Sequence, residues 1–283
     1  MPTPQHPSCL ILPAAGLGTR LRRVAADLPG LPADLPKELL PIRGRPAIQY
    51  ALAEAEAARI PEAIVILRPG KELVRRVIEE PGVCARLFPQ AAPELERLAS
   101  GLRVRFLQQK EPLGECDAIA LARPHAGSGP FAVLYPDNVR LPGPGMVAQL
   151  CAAFGKRPGD LVGLMPVTAE NAGRVSDSGR VDLERTGQPG LWRIREFLPK
   201  GPGRFVPRRP VEWRTCGSYA TLPHFFEWIE RTRAAGFTGE LTDGKVRRAM
   251  LREGVEFYGV ELSGEIHDIG NPEGYRGCSG WEG

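Results

Sequence analysis

Through residues 8–170, short apolar runs alternate with longer segments of helical periodicity, and that alternation is what most limits the folds open to this chain. CLILP (9–13), EAIVILR (62–68), LRVRFLQQ (102–109), FAVLYPDNV (131–139) and LVGLMPV (161–167) are the apolar runs. Such runs, alternating with helical segments, suit a parallel sheet covered on both faces. Between them, PAIQYALAEAEAARI (46–60) carries Ile48, Leu52 and Ala55 on one face of a helix that Pro46 can open, and KELVRRVIEE (71–80) is amphipathic. A Pro-rich stretch lies around 81–93, and 114–123 reads as a further helix. Parallel neighbours need a crossover, so this order predicts an α/β fold with a Rossmann-like mixed, mostly parallel sheet flanked by helices.

From about 173 to 221 the runs become short and turn-punctuated: GRVDLER, LWRIREFL and VEWRTCGSYATL. They predict a small antiparallel β insertion or lid. LPHFFEWIERTRAA and ELTDGKVRRAMLREG return to helix, the second with Thr242 and Asp243 as N-cap candidates. VEFYGVEL is a late strand, and HDIGNPEGY places a carboxylate in a loop after it. With no internal repeat and no long linker, 1–283 is expected to be a single domain. Its parts are a nucleotide-binding core over 8–170, a sugar-phosphate-binding part with the β insertion over 171–275, and a tail over 276–283.

A chain of 283 residues at 42% hydrophobic content has enough apolar surface for one large core. The net charge of +4 is spread along the chain, which argues against nucleic acid and leaves room for an anionic substrate. The six cysteines form no CxxC pair and no cluster with histidine, so they are expected as reduced, mostly buried thiols. The arginines follow the apolar run at 10–13, the reverse of an export signal, and no run is long enough to span a bilayer. A cytoplasmic protein without membrane contact is expected.

The first strand runs into Gly16-Leu17-Gly18-Thr19-Arg20. Two glycines let backbone N–H groups approach an anion, and the Arg20 fork suits phosphate. Taken alone, the loop is equally a plain strand-to-helix turn, since it has neither the lysine of a P-loop nor the third glycine of a dinucleotide fingerprint. Lys37 alone reads as a solvated loop lysine, and Asp137 and Asp268 alone read equally as turn residues. His267 reads as structural, and Trp213, Phe225, Phe226 and Trp228 as core or interface. Even so, Asp137 ends an apolar strand, the place where open α/β sheets bind ligands.

Taken together, GLGTR, LPKELLPI (35–42), QKEPLG (109–114), YPDN (135–138), ELTD (240–243) and HDIGN (267–271) resemble, in that order, the motifs of sugar-1-phosphate nucleotidyltransferases. The nearest likeness is to the bacterial UTP:glucose-1-phosphate uridylyltransferases, over about residues 8–275. The resemblance implies a sugar phosphate attacking the α-phosphorus of a nucleoside triphosphate. It implies that the amides of Ala15 and Gly16 and the side chain of Gln109 contact the base, with Gly114 allowing close approach. Gly18, Thr19 and Arg20 would hold the β- and γ-phosphates, Lys37 the α-phosphate, Asp137 and Asp268 a catalytic Mg²⁺, and Gly173 and Glu240 the sugar. A homodimer or homotetramer is implied as well.

The sequence departs from that family in three places. IREFLPKG (194–201) puts Lys200 at the family's sugar-phosphate lysine, with Pro199 where a glutamate is usual and Gly201 where a proline is usual. The segment between Arg20 and Lys37 is longer than usual and carries Asp34 where a lysine is common. Glu115 and Cys116 replace small or apolar residues after Gly114. Three readings follow: a UTP and glucose 1-phosphate enzyme; the same chemistry with dTTP or CTP, or with another sugar or cyclitol phosphate; and a catalytically silent nucleotide-sugar-binding regulator. The pair of acidic residues argues against the last.

Overall fold

The computed structural model describes residues 6–26, 28–176, 178–201, 203, 205–237 and 239–279, so residues 280–283 of the expected tail lie outside the described residues. In chain order the strands are β1 Cys9–Pro13, β2 Pro41–Ile42, β3 Arg45–Pro46, β4 Glu62–Leu67, β5 Arg103–Gln108, β6 Phe131–Leu134 and β7 Asn138–Leu141. They continue as β8 Asp160–Val167, β9 Val181–Arg185, β10 Leu191–Phe197, β11 Glu212–Thr221, β12 Phe257–Glu261 and β13 Glu265–Asp268. Among the described residues, nine of them form one sheet in the order β5-β4-β1-β6-β11-β8-β12-β10-β9. Small antiparallel sheets join β13 to β7 and β2 to β3.

The parallel part is β5-β4-β1-β6 together with the pair β8-β12, and the apolar runs account for it. Along β1, Leu10 and Leu12 enter one core layer while Cys9 and Ile11 enter the other. A strand feeding two layers has no polar face, hence the uninterrupted run. The first layer contains Ile48, Leu52 and Ala55 of the helix Ala47–Ala57, which starts directly after Pro46. The second contains Phe225, Phe226, Trp228 and Ile229 of the helix His224–Ala234, with Phe131 and Phe226 stacked at 4.6 Å between ring centroids. All six cysteines are buried and free, and burial pushes the thiols of Cys9 and Cys151 up to about 12, which keeps them protonated.

Two local expectations are corrected, at VEWRTCGSYATL and at HDIGN. VEWRTCGSYATL is no part of an insertion: β11 is a central strand, antiparallel to both β6 and β8. β9 and β10 extend the same sheet at its edge. The Pro-rich stretch holds the helices Pro81–Leu87 and Ala92–Gly101, each opened by a proline in its first turn, where the missing N–H costs nothing. HDIGN starts as strand, because Glu265–Asp268 pairs with Leu141–Asn138. Thr242 occupies the N-cap position of the helix Asp243–Arg252 but makes no side-chain cap bond; the Asp243 N–H donates to the Glu115 carboxylate at 2.8 Å instead.

At the start of β8, buried Asp160 accepts from Thr221 Oγ1 at 2.5 Å and lies 2.9 Å from His224 Nε2. The hydrogen bond to Asp160 raises the His224 pKa, with burial opposing it. A folded-state pKa above the unfolded one gives stability that is full below the unfolded value, about 6.5, and is lost as pH rises through the folded value. Urea unfolding should therefore show His224→Ala costing more at about pH 5.5 than at about pH 8.5. Equal costs at both would contradict the charged pairing.

Candidate active site

A cleft of about 370 Å³ opens at the carboxyl ends of β1 and β6. One wall is the loop leaving β1, from Ala15 to Arg20. Beneath it runs the Lys37 stem, 3.7 Å from where a Cβ on Gly18 would lie. Gly18 has φ +65°, so a side chain here would be strained, although it would meet Lys37 only in ordinary contact. Lys37 stands at the start of a 3-10 turn, Lys37–Leu39, that buried Leu39 and Leu40 anchor in the core.

The opposite wall carries the acids. Lys37 Nζ bonds Asp137 Oδ2 at 2.6 Å, and each side chain keeps under a fifth of its surface exposed. Burial pushes the Asp137 carboxyl up, but the Lys37 charge and hydrogen bond outweigh it and hold the pKa below its usual value. Burial likewise disfavours the Lys37 ammonium, and Asp137 together with Glu38 and Asp268 more than restores it. Asp268 arrives through the pairing of β13 with β7, which sets it opposite Asn138, while Ile269 N–H donates to the Asp137 carbonyl at 2.8 Å. A Cβ on Gly270 would lie 2.9 Å from Asp137 Oδ2 and 3.0 Å from Asp268 Oδ1. Both carboxylates thus border one small space that only glycine leaves open. Ser176 Oγ donates to the other Asp268 oxygen at 3.3 Å.

At the far end of the cleft, Gln109 Nε2 donates to the Gly114 carbonyl at 2.9 Å. Because a carbonyl can only accept, this contact fixes which end of the Gln109 amide is the donor. Glu115, Tyr135 and Glu240 complete this end. Burial and the neighbouring Asp243 carboxylate raise the Glu115 pKa well above the usual range.

Of the residues singled out in the sequence, Ala15, Gly16, Gly18, Thr19, Arg20, Lys37, Gln109, Gly114, Asp137 and Glu240 line this cleft, and Asp268 borders it through Gly270. Lys200 and Gly173 do not line it. Lys200 is exposed on the loop after β10, and Gly173 is exposed in the turn Ala172–Arg174, beside a second cavity of about 310 Å³ that reaches Asp268 from another side. Sequence reasoning passed over Gly270, Tyr135 and the buried pair Glu38–Lys71. Gly270 and Tyr135 had a signal, each lying two residues from a carboxylate in a quoted motif; the pairing of Glu38 with Lys71 had none.

Cations facing carboxylates at the carboxyl ends of central strands suit a phosphate ester, which puts this molecule in the nucleotide-handling class of α/β proteins. The chain belongs to the MobA-like NTP transferase domain family, whose model matches residues 9–231. A UTP–glucose-1-phosphate uridylyltransferase of Bacillus subtilis strain 168 is 31% identical over 278 residues, covering 94% of this chain and 87% of that protein. One of Staphylococcus haemolyticus strain JCSC1435 is 27% identical, covering 94% and 88%. The crystal structure of a UDP-glucose pyrophosphorylase complexed with UDP-glucose shares the fold, with a TM-score of 0.77, 23% identity and 97% coverage of both chains. This chain is accordingly a nucleotidyltransferase. Among the described residues no helix is long and apolar enough to cross a membrane.

Proposed function

We propose that the protein transfers the uridylyl group of UTP to a sugar 1-phosphate, most simply glucose 1-phosphate, releasing pyrophosphate. The observation that carries this reading is the convergence of Lys37, Asp137 and Asp268 around Gly270, beside the glycine loop. A phosphate oxygen of the sugar phosphate forms a bond to the α-phosphorus of UTP while the bond to the bridging α,β-oxygen breaks, and the electron pair leaves with pyrophosphate. Two anions must meet for this, so the work of the chain is charge neutralisation and alignment rather than covalent catalysis. Arg20 and the loop amides at Gly18 and Thr19 hold the β- and γ-phosphates, and Lys37 the α-phosphate. Glu240 takes sugar hydroxyls, while Gly173 and Lys200, outside this cleft, are given no contact in this step.

Two carboxylates bordering one space fit a magnesium ion, which favours a few carboxylates plus phosphate oxygens and water; among the described residues no third acidic or histidine ligand joins them. Asp137 and Asp268 would hold it, and when bound it supplies positive charge to the reacting phosphates. Lys37 already sits on Asp137 as a counter-charge, so it is poised to pass to the α-phosphate when nucleotide arrives.

The base reading follows from Gln109. With Nε2 committed to Gly114, its Oε1 is the acceptor left for a base, which suits the N3–H of uracil and not the bare N3 of cytosine. With glucose 1-phosphate as acceptor, kcat/KM should be about 100-fold or more higher for UTP than for CTP, because the wrong base leaves a polar group unpaired. Chromatography of the nucleotide-sugar products checks this. Equal use of CTP would refute the base reading, and no product with any pyrimidine nucleotide on a panel of sugar phosphates would refute the transfer itself.

A further inference from the structure

Behind the glycine loop lies an ion pair that the chemistry above does not use. Lys71, between β4 and the helix Glu72–Glu79, is 3% exposed, and Glu38 is 1% exposed. Lys71 Nζ donates to both Glu38 carboxylate oxygens, at 2.7 and 2.8 Å, and to the Ala14 carbonyl at 2.7 Å. These account for all three ammonium donors. Burying two charges is costly even when they are paired, so the pair is a poor device for stability alone.

Its partners sit on the two segments that face the nucleotide. Ala14 precedes Ala15 and Gly16, which line the cleft, and Glu38 follows Lys37 in the same 3-10 turn. A peptide is planar and trans, so its C=O and N–H point in opposite directions. With the Ala14 carbonyl held from behind by Lys71, the Ala15 N–H is turned away from Lys71, toward the cleft. Ala14 N–H donates to Ile66 O at 2.9 Å, which fixes the preceding peptide as well. On the other segment, Glu38 pulls one side of the turn into the interior while Lys37 reaches Asp137, so the turn is held against rotation at two points.

We propose that Lys71 is a positioning residue for nucleotide binding: through the Ala14 carbonyl and Glu38 it sets the Ala15 amide and the Lys37 turn in one orientation before nucleotide arrives. The residue touches no substrate, and the inference rests on the uridylyl-transfer reading only for the identity of the nucleotide.

The test uses the full chain with Lys71→Met, Glu38→Leu and the double variant, measuring thermal unfolding, UTP binding by calorimetry, and KM for each substrate. Each single variant leaves one buried charge unpaired and loses stability. The double variant removes both charges and unfolds within about 5 °C of the wild type, as neutral replacements of buried pairs often do. It nevertheless binds UTP about 10- to 100-fold more weakly, the worth of a charged hydrogen bond to the loop, with the KM for glucose 1-phosphate changed less than about twofold. A stable double variant that binds UTP like the wild type overturns the inference and leaves the transfer reading intact. So does a double variant that cannot fold, since the pair then serves stability. Wild-type protein that binds no UTP overturns both.

Discussion

Asp137→Asn lowers turnover with UTP and glucose 1-phosphate by about a thousandfold, at the upper end of what removing one electrostatic group at a reacting centre costs. The substitution keeps the size of the side chain and removes its charge, so two things change together. Asp137 and Asp268 no longer border their shared space as two anions, and the metal they would hold loses half the negative charge of its protein ligands. Lys37 also loses the partner that keeps its ammonium charged against burial. Because both side chains are partly open to solvent, the stability cost is modest, about 1 kcal/mol, and well below that of a fully buried pair. Steady-state kinetics at low and high magnesium, with urea unfolding alongside, separate the two effects. Wild-type turnover at low magnesium would remove Asp137 from the metal site.

Gly114→Ala destabilises the protein by about 3 kcal/mol or more, through overpacking and a strained backbone acting at one position. Gly114 has φ +119°, and an added Cβ would lie 2.5 Å from Leu241 N and 2.6 Å from Leu241 O. Neither backbone atom is free to move. Leu241 N–H donates to the Leu113 carbonyl at 3.0 Å, and the Leu241 carbonyl accepts from Cys116 N–H at 3.1 Å. The same substitution displaces the Gly114 carbonyl that orients Gln109, so UTP binding falls with stability. Gly16→Ala is the contrast. It has no positive φ, and its added Cβ meets only Lys37 Nζ at 4.0 Å, so its stability changes by less than about 0.5 kcal/mol. Urea unfolding of the two variants checks the comparison, and similar costs for both would contradict the assigned cause.

The sheet's parallel strands were legible because burial on both faces leaves an apolar run with no alternation, as in Cys9–Pro13 and Glu62–Leu67. β11 was not legible as a central strand. Its register shifts between Thr215 and Tyr219, around Gly217 at φ +67°, and that irregularity breaks the alternation and imitates the turns of an insertion. The two carboxylates were found through their motif neighbourhoods, not through any periodicity, since what brings them together is a β13–β7 register between residues 130 positions apart. Glu115 was noticed only as a departure, and its role as the cap of Asp243–Arg252 depends on a contact across 128 residues. The pairing of Glu38 with Lys71 left no trace, because a charged residue in a loop or at a helix start reads as solvated until the fold encloses it. Local sequence reports which face a side chain takes, and the site is assembled from contacts that local sequence does not encode.

The central claim is that the cleft joins a nucleotide to a sugar phosphate with the help of Asp137 and Asp268. Pyrophosphate release by the wild-type protein, with UTP and glucose 1-phosphate in the presence of magnesium and again with the metal chelated, tests it most directly. Release should need both substrates and magnesium, with UDP-glucose formed in equal amount. Release that persists without the metal, or without the sugar phosphate, would contradict it.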